Sequence, residues 1–504
     1  MELAKESARI FIGITIQRIL AIVMVPVVAW LLGPFDYGIF NVGVSVCTLF
    51  SVIGGLALEA SIAISASKQQ AFSRAICTSL LGIFSGILFL ILTLLCRPFL
   101  LKYFSPQAVN AIIWMVPFLV PLTVMNNAMQ NYLAYLGKFQ FIAIGDVSFT
   151  VANYAGLILV YFFLYEDYHA LIIGSIMAFS VRFSVFFKSS IEKKLLLDLM
   201  SPARVLKEIW EARHFIKFNF PCNLLNTANL QLPAVLINLR YSEDVVGLFS
   251  MARNIIMIPA TVSSRSLGQV FYPKAAREYR EGRGLKKITW QTFIYSCRLT
   301  IFPTIFIASA AGLVLPFLLG PKWNGIAIYI ILLLPMVLLN AIQTQIGVGF
   351  VFNILNQPSK ILWGNLFLFL SRIVPLAFVL FFMPTRPYIP ILVYSVGSGI
   401  GYAILLAWIF IATSISIRRA FSEWLKHLGL AIACVLPMLL SFLCDNRLVL
   451  GFLLSCSVLL YGLVIWFVFL DREHQAVIIA RRIKWLHFLG VLRSIVSKTP
   501  QRYH

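Results

Sequence analysis

Apolar and polar positions alternate along this chain on the scale of whole helices. Nearly uninterrupted apolar runs occupy 8–33, 37–65, 75–96, 109–135, 140–165, 170–188, 215–240, 246–272, 288–319, 326–353, 360–383, 389–414, 428–444 and 448–470. A helix needs about 20 apolar residues to cross a hydrocarbon core, so each of these fourteen runs is a candidate span. The connections GPFDYG, LGKFQF, YEDYH, PKWNG and PTRPY are short enough to make neighbouring spans antiparallel hairpins. The pattern predicts an all-α polytopic membrane protein with about fourteen transmembrane helices. Its first run is too long for a signal-peptide core and lacks a small-residue cleavage site, so it is expected to be retained.

The pattern also repeats. DYGIF at 36–40 corresponds to VVGLF at 245–249, an offset of 209 residues, and RPFLL at 97–101 to LPFLL at 315–319, an offset of 218. LGKFQFIAIGD at 136–146 corresponds to LNQPSKILWGN at 355–365, and Phe162-Phe163 to Phe381-Phe382, both at 219. The matches are collinear, and each repeat holds six spans. An even number makes both halves enter the membrane in the same sense, a parallel repeat about an axis along the membrane normal. The expected organisation is an N-terminal lobe at 1–188, a cytoplasmic linker at 189–214 and a C-terminal lobe at 215–414. Two extra spans at 415–470 and a basic tail at 471–504 complete it. Such a pair of facing six-helix lobes would form an alternating-access transporter with a cavity between its halves.

Composition agrees: 60% of the 504 residues are hydrophobic, 12% are charged, and the mean hydropathy is +0.90. The net charge of +22 would suit nucleic acid, but the basic residues crowd into alternate short loops, which excludes that partner. With the N-terminus inside, the outer loops hold only Arg97, Lys102, Arg240, Lys322, Arg386 and Arg447, so both termini are expected in the cytoplasm. The segment SPARVLKEIWEARHF and the C-terminal tail, with Arg481, Arg482, Lys484 and Trp485, read as amphipathic surface segments. Eight cysteines without CxxC spacing, and histidines confined to loops and the tail, argue against a disulfide framework or a metal centre. No cofactor is expected.

The chemistry lies in polar residues inside the spans. Asn219, Asn223 and Asn226 follow i, i+4, i+7 spacing, which places them within roughly 60° on one helix face, with Asn229 on the flank. Gln17 and Arg18 occupy the matching zone of span 1. Span 4 offers the pairs Asn126 with Gln130 and Asn127 with Asn131, and span 10 offers Asn340, Gln343 and Gln345. Such amides line a hydrophilic cavity for a hydroxyl-rich ligand, or else hold helices together at about 0.6–2 kcal/mol each. For any single amide both readings stay open. Six arginines lie within spans, Arg18, Arg182, Arg253, Arg265, Arg298 and Arg372, against two acids, Glu59 and Asp146. A mid-membrane arginine costs about 2.5–3.5 kcal/mol on insertion scales, so an unneutralised set implies a purpose. Arg182, near a span end, is explained by snorkelling. Arg18, Arg253, Arg265, Arg298 and Arg372 come from both halves and are expected to face the inter-lobe cavity and hold a phosphate-bearing anion. Glu59 and Asp146 are the candidates for coupling to a proton or sodium gradient, or for salt bridges with those arginines.

The run WLLGPFDYGIFNVGVSV…GGLALEASIAISASKQQ, with YSEDVVGLFSMARNIIMIPATVSSRSLGQVFYPKAAREYR in the second half, resembles the polysaccharide-transport family. These are the Wzx-type oligosaccharide flippases of O-antigen, capsule and exopolysaccharide synthesis, within the multidrug/oligosaccharidyl-lipid/polysaccharide exporter (MOP) superfamily. Leu32-Gly33-Pro34, Tyr37-Gly38 and the GLF and YP elements carry the match, which covers most of the chain. The resemblance implies a MATE-like fold in the inner membrane of a bacterium. It also implies export of an undecaprenyl-pyrophosphate-linked oligosaccharide to the outer leaflet, with a polymerase and glycosyltransferases of the same pathway as partners. A lipid II flippase is the nearest alternative. A multidrug exporter would want intramembrane acids in excess for cationic substrates. A membrane glycosyltransferase or polymerase would need a sizeable outer loop bearing catalytic groups, and the longest outer connection, 97–108, holds no paired carboxylates.

Overall fold

The computed structural model describes residues 17, 19–190, 207–208, 210–357, 359–383, 386–439 and 447–465. The first half contains α1 (Ile19–Leu31), α2 (Pro34–Gly55), α3 (Lys68–Leu95), α4 (Pro106–Tyr135), α5 (Phe139–Phe163) and α6 (Tyr168–Ser190). The second contains α7 (Arg213–Asn238), α8 (Glu243–Ile256), α9 (Ile258–Arg280), α10 (Lys286–Leu319), α11 (Ile326–Ile346), α12 (Val348–Ile354), α13 (Ser359–Phe382) and α14 (Tyr388–Ala412). Helices α15 (Ile417–Leu439) and α16 (Arg447–Val464) follow. The chain divides into two compact units, Met1–Ala420 and Phe421–His504, so both expected lobes fall within the first.

Every expected span meets a helix or a broken pair of helices. Among the described residues nine helical stretches are long and apolar enough to cross a membrane, which makes this a multi-pass membrane protein. The 26-residue α7 is long enough to span and is diluted by its amides. Local signals set the ends. Pro34 and Pro106 occupy first helical positions, and Ser105 accepts from Ala108 N. Ser67 accepts from Gln70 N while the Gln70 side chain accepts from Ala66 N, a capping exchange that starts α3. Three expected spans are broken. Span 2 ends its α-helix at Leu56 and Ala57, both left-handed at φ 52° and 54°, and continues as a 3₁₀ turn over Leu58–Ile64. Span 8 breaks at Met257, just ahead of Pro259. Span 10 breaks at Gly347, whose φ of 69° favours glycine. Of the expected surface helix, only residues 207–208 and 210 onward are described, and the basic tail lies outside the described residues. Glu208 meets Arg74 of α3 at 3.4 Å with both side chains buried, which ties the linker to the first half.

The repeat is visible in the packing. In the first half α4 packs on α2, α3 and α6, α5 packs on α6, and Val28 of α1 with Leu32 just after it packs on Leu157 and Val160 of α5. The second half reproduces the scheme: α11 packs on α8, α10 and α14, α13 on α14, and α7 on α13.

The halves meet where α2 crosses α7 and α8. A Cβ on Gly38 would run into the Glu243 carbonyl oxygen, and one on Gly247 into the Pro34 carbonyl oxygen. Gly38 and Gly247, like Pro34 and Glu243, are partners at the offset of 209, so the contact is self-complementary about the pseudo-twofold axis. Around it Trp323 donates to Ala29 O at 2.9 Å, Trp30 to Leu318 O at 2.7 Å, and Lys322 to Leu31 O at 3.2 Å. Asn254 donates to the Tyr37 hydroxyl at 2.7 Å, and Tyr37 meets the Trp323 ring edge-on at 5.8 Å. This end of the molecule is closed.

The close approach makes a test. Overpacking a tight contact costs about 1–3 kcal/mol, so Gly38→Ala or Gly247→Ala should favour separation of α2 from α8 roughly tenfold. Cysteines placed at Tyr37 and Asn254, whose side chains meet end to end, should be joined by a bifunctional thiol reagent about 10 Å long in a background without other cysteines, and less so in either alanine variant. Undiminished cross-linking in both would refute the contact.

Candidate functional site

A cavity of about 1010 Å³ opens inside the second half, walled by α7, α9, α11, α12, α13 and α14. All four amides of the α7 stripe, Asn219, Asn223, Asn226 and Asn229, line it, facing Asn340 and Gln343 of α11 and Asn365 of α13. The opposite face of α7 explains their direction. Gln231, two residues and about 200° beyond Asn229, accepts a hydrogen bond from Ser45 of α2 at 3.1 Å. With that face turned to the first half, the stripe turns inward on α11 and α13. At the break in span 10 the Phe350 ring folds over Gly347 and lies 5.1 Å from Tyr272 of α9, shaping one wall.

Among the described residues Arg372 is the one charged residue lining this cavity, and it is 1% exposed. Its Nε donates to Ser398 Oγ at 3.1 Å, Nη1 to Asn229 O at 3.2 Å and Nη2 to the Tyr402 hydroxyl at 2.7 Å. The Tyr394 and Tyr402 rings lie 5.5 and 4.9 Å from its guanidinium carbon. These bonds satisfy the donors without cancelling the charge. No described carboxylate forms an ion pair with it. A buried cation without a counter-ion is costly. The cavity wall is therefore positive and rich in amide and hydroxyl groups. Asn340 also donates to the Tyr402 hydroxyl, and Asn229 Nδ2 donates to Asn365 O at 3.1 Å.

The remaining expected site residues are dispersed. The cavity described above lies within the second half rather than between the lobes, and all the described residues that line it belong to that half. Arg253 donates to Leu230 O at 2.8 Å, and Arg298 lies over the Tyr295 ring at 5.9 Å; neither lines the cavity. Arg18 and the Arg265 side chain lie outside the described residues. In the first half the amides serve helix packing: Asn126 donates to Leu122 O at 2.7 Å and across to Phe179 O of α6 at 3.1 Å. Gln130 accepts from Arg182 at 2.8 Å, and Asp146 pairs with the same guanidinium at 2.6 Å. Glu59 lies on the 3₁₀ turn with its Oε2 buried and without a hydrogen-bond partner among the described residues. Gln345, grouped with the span 10 amides, donates to Ser263 outside the cavity. Sequence reasoning missed Asn365, Ser398 and Tyr402. Helical spacing carried their signal: Asn365 lies seven residues before Arg372 on α13, and Ser395, Ser398 and Tyr402 follow i, i+3, i+7 on α14.

Comparison with known proteins places this architecture. Residues 27–328 match the family model described as polysaccharide biosynthesis protein. Comparison with curated protein sequences finds no match. Among solved structures, the lipid II flippase MurJ in an inward closed conformation superposes with a TM-score of 0.70 at 12% identity, covering 90% of this chain and 97% of that one. An inward-facing multidrug resistance MATE transporter of the MOP superfamily gives 0.63 at 15% identity, over 82% and 99%. A MOP-superfamily transporter from Pyrococcus furiosus, described as having a binding pocket of reverse polarity, gives 0.53 at 14%, over 82% and 96%. At these identities the likeness is one of fold: the chain has the fold of MOP-superfamily transporters.

The isolation of Arg372 separates stability from function. Removing a buried charge that has no counter-ion recovers a desolvation cost of several kcal/mol, which offsets the three hydrogen bonds lost with it. Arg372→Met should therefore leave the unfolding temperature in detergent unchanged or raised. A fall of several degrees would mark Arg372 as a structural tie instead.

Proposed function

The chain belongs to the polysaccharide biosynthesis protein family, and from that premise we propose that it is a flippase for an undecaprenyl-pyrophosphate-linked oligosaccharide. The observation that carries the reading is Arg372: one guanidinium without a described carboxylate partner, in a cavity whose largely apolar walls also present amides and hydroxyls. Amides suit sugar hydroxyls, and a cation suits a diphosphate. A pocket for cationic drugs would carry acids, and among the described residues no acid lines this one. The likeness to MurJ favours lipid II as a second reading, since its headgroup is also a glycosyl diphosphate.

In this proposal the basic loops face the cytoplasm of a bacterium, so the closed glycine crossing lies on the outer side and the cavity is loaded from within. The lobes at 1–188 and 215–414 rock about that crossing, and the polyprenyl tail stays in the bilayer. Repeat units of O-antigen, capsule or exopolysaccharide are the intended cargo, handed on by glycosyltransferases and taken up by a polymerase. Movement of an anion outward also runs down an inside-negative potential, by roughly 2.3 kcal/mol per charge per 100 mV.

Coupling to a proton or sodium gradient falls to Glu59, because Asp146 is already engaged by Arg182. The decisive measurement is translocation of a lipid-linked oligosaccharide in proteoliposomes, scored by lectin access, with and without an imposed gradient. Wild-type protein should translocate, and Arg372→Gln should fall to the protein-free rate. Failure of the wild type on every lipid-linked glycan would reject the flippase. Glu59→Gln should lose gradient stimulation, whereas Asp146→Asn with Arg182→Gln should retain it. Full stimulation of Glu59→Gln would remove that residue from coupling.

A further inference from the structure

Resting on the flippase reading, we propose that Tyr402 and Asn229 are the groups that touch the ligand's glycosyl diphosphate. Arg372 acts from behind them as a positioning residue and a fixed charge. Three observations lead there. First, Arg372 gives hydrogen bonds from all three of its nitrogens to protein oxygens, so its guanidinium is already engaged. Second, the Tyr402 oxygen accepts from both Arg372 and Asn340, and its own proton has no acceptor among the described residues. A phenol that accepts two N–H bonds, one from a cation, is polarised to donate its proton onward, and an anionic oxygen is the best acceptor. Third, Asn229 is 2% exposed and its Oδ1 is buried without a hydrogen-bond partner, although the residue lines the cavity. An orphaned carboxamide oxygen calls for a donor, and a sugar hydroxyl is one. The guanidinium binds the Asn229 backbone and the Tyr402 hydroxyl together, so donor and acceptor sit side by side in one node.

The duplication supplies an internal control. At the offset of 219 residues Asn365 corresponds to Asp146, and Arg372 to Asn153. In the first half the acid at this place pairs with Arg182, and Asn153 Oδ1 accepts from Ser175 at 3.3 Å. The same helix crossing thus carries a neutralised pair in one half. In the other the acid position is an amide and the arginine is left positive. Asn365→Asp would write the acid of the first half into the cavity beside the node.

The test is equilibrium binding to the purified full-length protein in detergent, by fluorescence anisotropy or calorimetry. Three probes are used: farnesyl-diphosphoryl-N-acetylglucosamine, a neutral farnesyl N-acetylglucosaminide, and uridine diphosphate N-acetylglucosamine. Wild type should prefer the farnesyl diphosphate sugar to both others. One lost hydrogen bond to a charged group is worth roughly tenfold, so Tyr402→Phe should weaken that probe by about that factor and leave the neutral glycoside unchanged. Asn229→Ala should weaken both sugar-bearing lipids alike. Asn365→Asp should abolish the preference for the diphosphate in a protein that still unfolds at the wild-type temperature. If wild type binds the diphosphate probe but Tyr402→Phe and Asn229→Ala keep its affinities, the inference is wrong and the flippase reading stands. If wild type ignores the lipid diphosphate, the flippase reading itself falls. Equal affinity for the uridine nucleotide would overturn the lipid-borne reading and assign the site to a soluble sugar nucleotide.

Discussion

The crossing of α2 over α8 at Gly38 and Gly247 is the contact from which the rest of the arrangement follows. Lipid tails are as apolar as leucine side chains, so helices in a bilayer associate through close packing and hydrogen bonds. Two backbones that touch with no intervening Cβ meet the first requirement, and the indole and lysine donors around them meet the second. Because the contact joins residues equivalent in the repeat, it ties the halves at one end and leaves each half's interior to its own helices. The direction of α7 is then determined: one face meets α2 through Gln231, and the amide face turns to α11 and α13.

Duplication produced two similar frames, and chemistry has since diverged within them. The α5–α6 crossing buries an acid–arginine pair, supported by Gln130 and by the Phe149 and Phe186 rings 5.8 and 5.0 Å from the Arg182 guanidinium carbon. Its counterpart between α13 and α14 has no acid, a displaced arginine and a cavity alongside. Structural ion pairs and functional charges therefore occupy related positions of one scaffold. What separates them is whether a carboxylate lies within reach.

That distinction explains how far the sequence could be read. Span positions followed from apolar run length, and the repeat from short collinear matches, one of which contains the glycine that makes the closing contact. The α7 stripe was legible because four amides on one face need either water or protein, and the period alone shows the face. The half that holds the cavity was not legible. Asn126 and Asn223 look alike in sequence, yet Asn126 bonds carbonyls on α4 and α6 while Asn223 lines open space. The intramembrane arginines were equally indistinguishable. Arg253 ends on a carbonyl of α7 and Arg182 on an acid of α5, partners that depend on tertiary contact rather than on spacing. Tyr402 escaped notice because a tyrosine in an apolar helix reads as packing until its hydroxyl is seen between two donors.

On the proposed reading, a single charge without a described carboxylate partner is also the arrangement that a carrier of anions needs. Through one intervening hydroxyl, at about 7 Å and an effective dielectric near 20, a guanidinium attracts a unit negative charge by roughly 2.4 kcal/mol. On the proposed reading, the membrane potential pulls the same charge outward by roughly 2.3 kcal/mol per 100 mV. The two are matched, so the cavity can stabilise the headgroup on the way across and still let it go. Five arginines in direct contact would multiply the attraction several-fold and turn the intermediate into a trap. Holding Arg182 on an acid and Arg253 on a carbonyl keeps that excess away from the cavity. On the same reading, setting Arg372 behind Tyr402 softens the one charge that the described residues bring to the cavity.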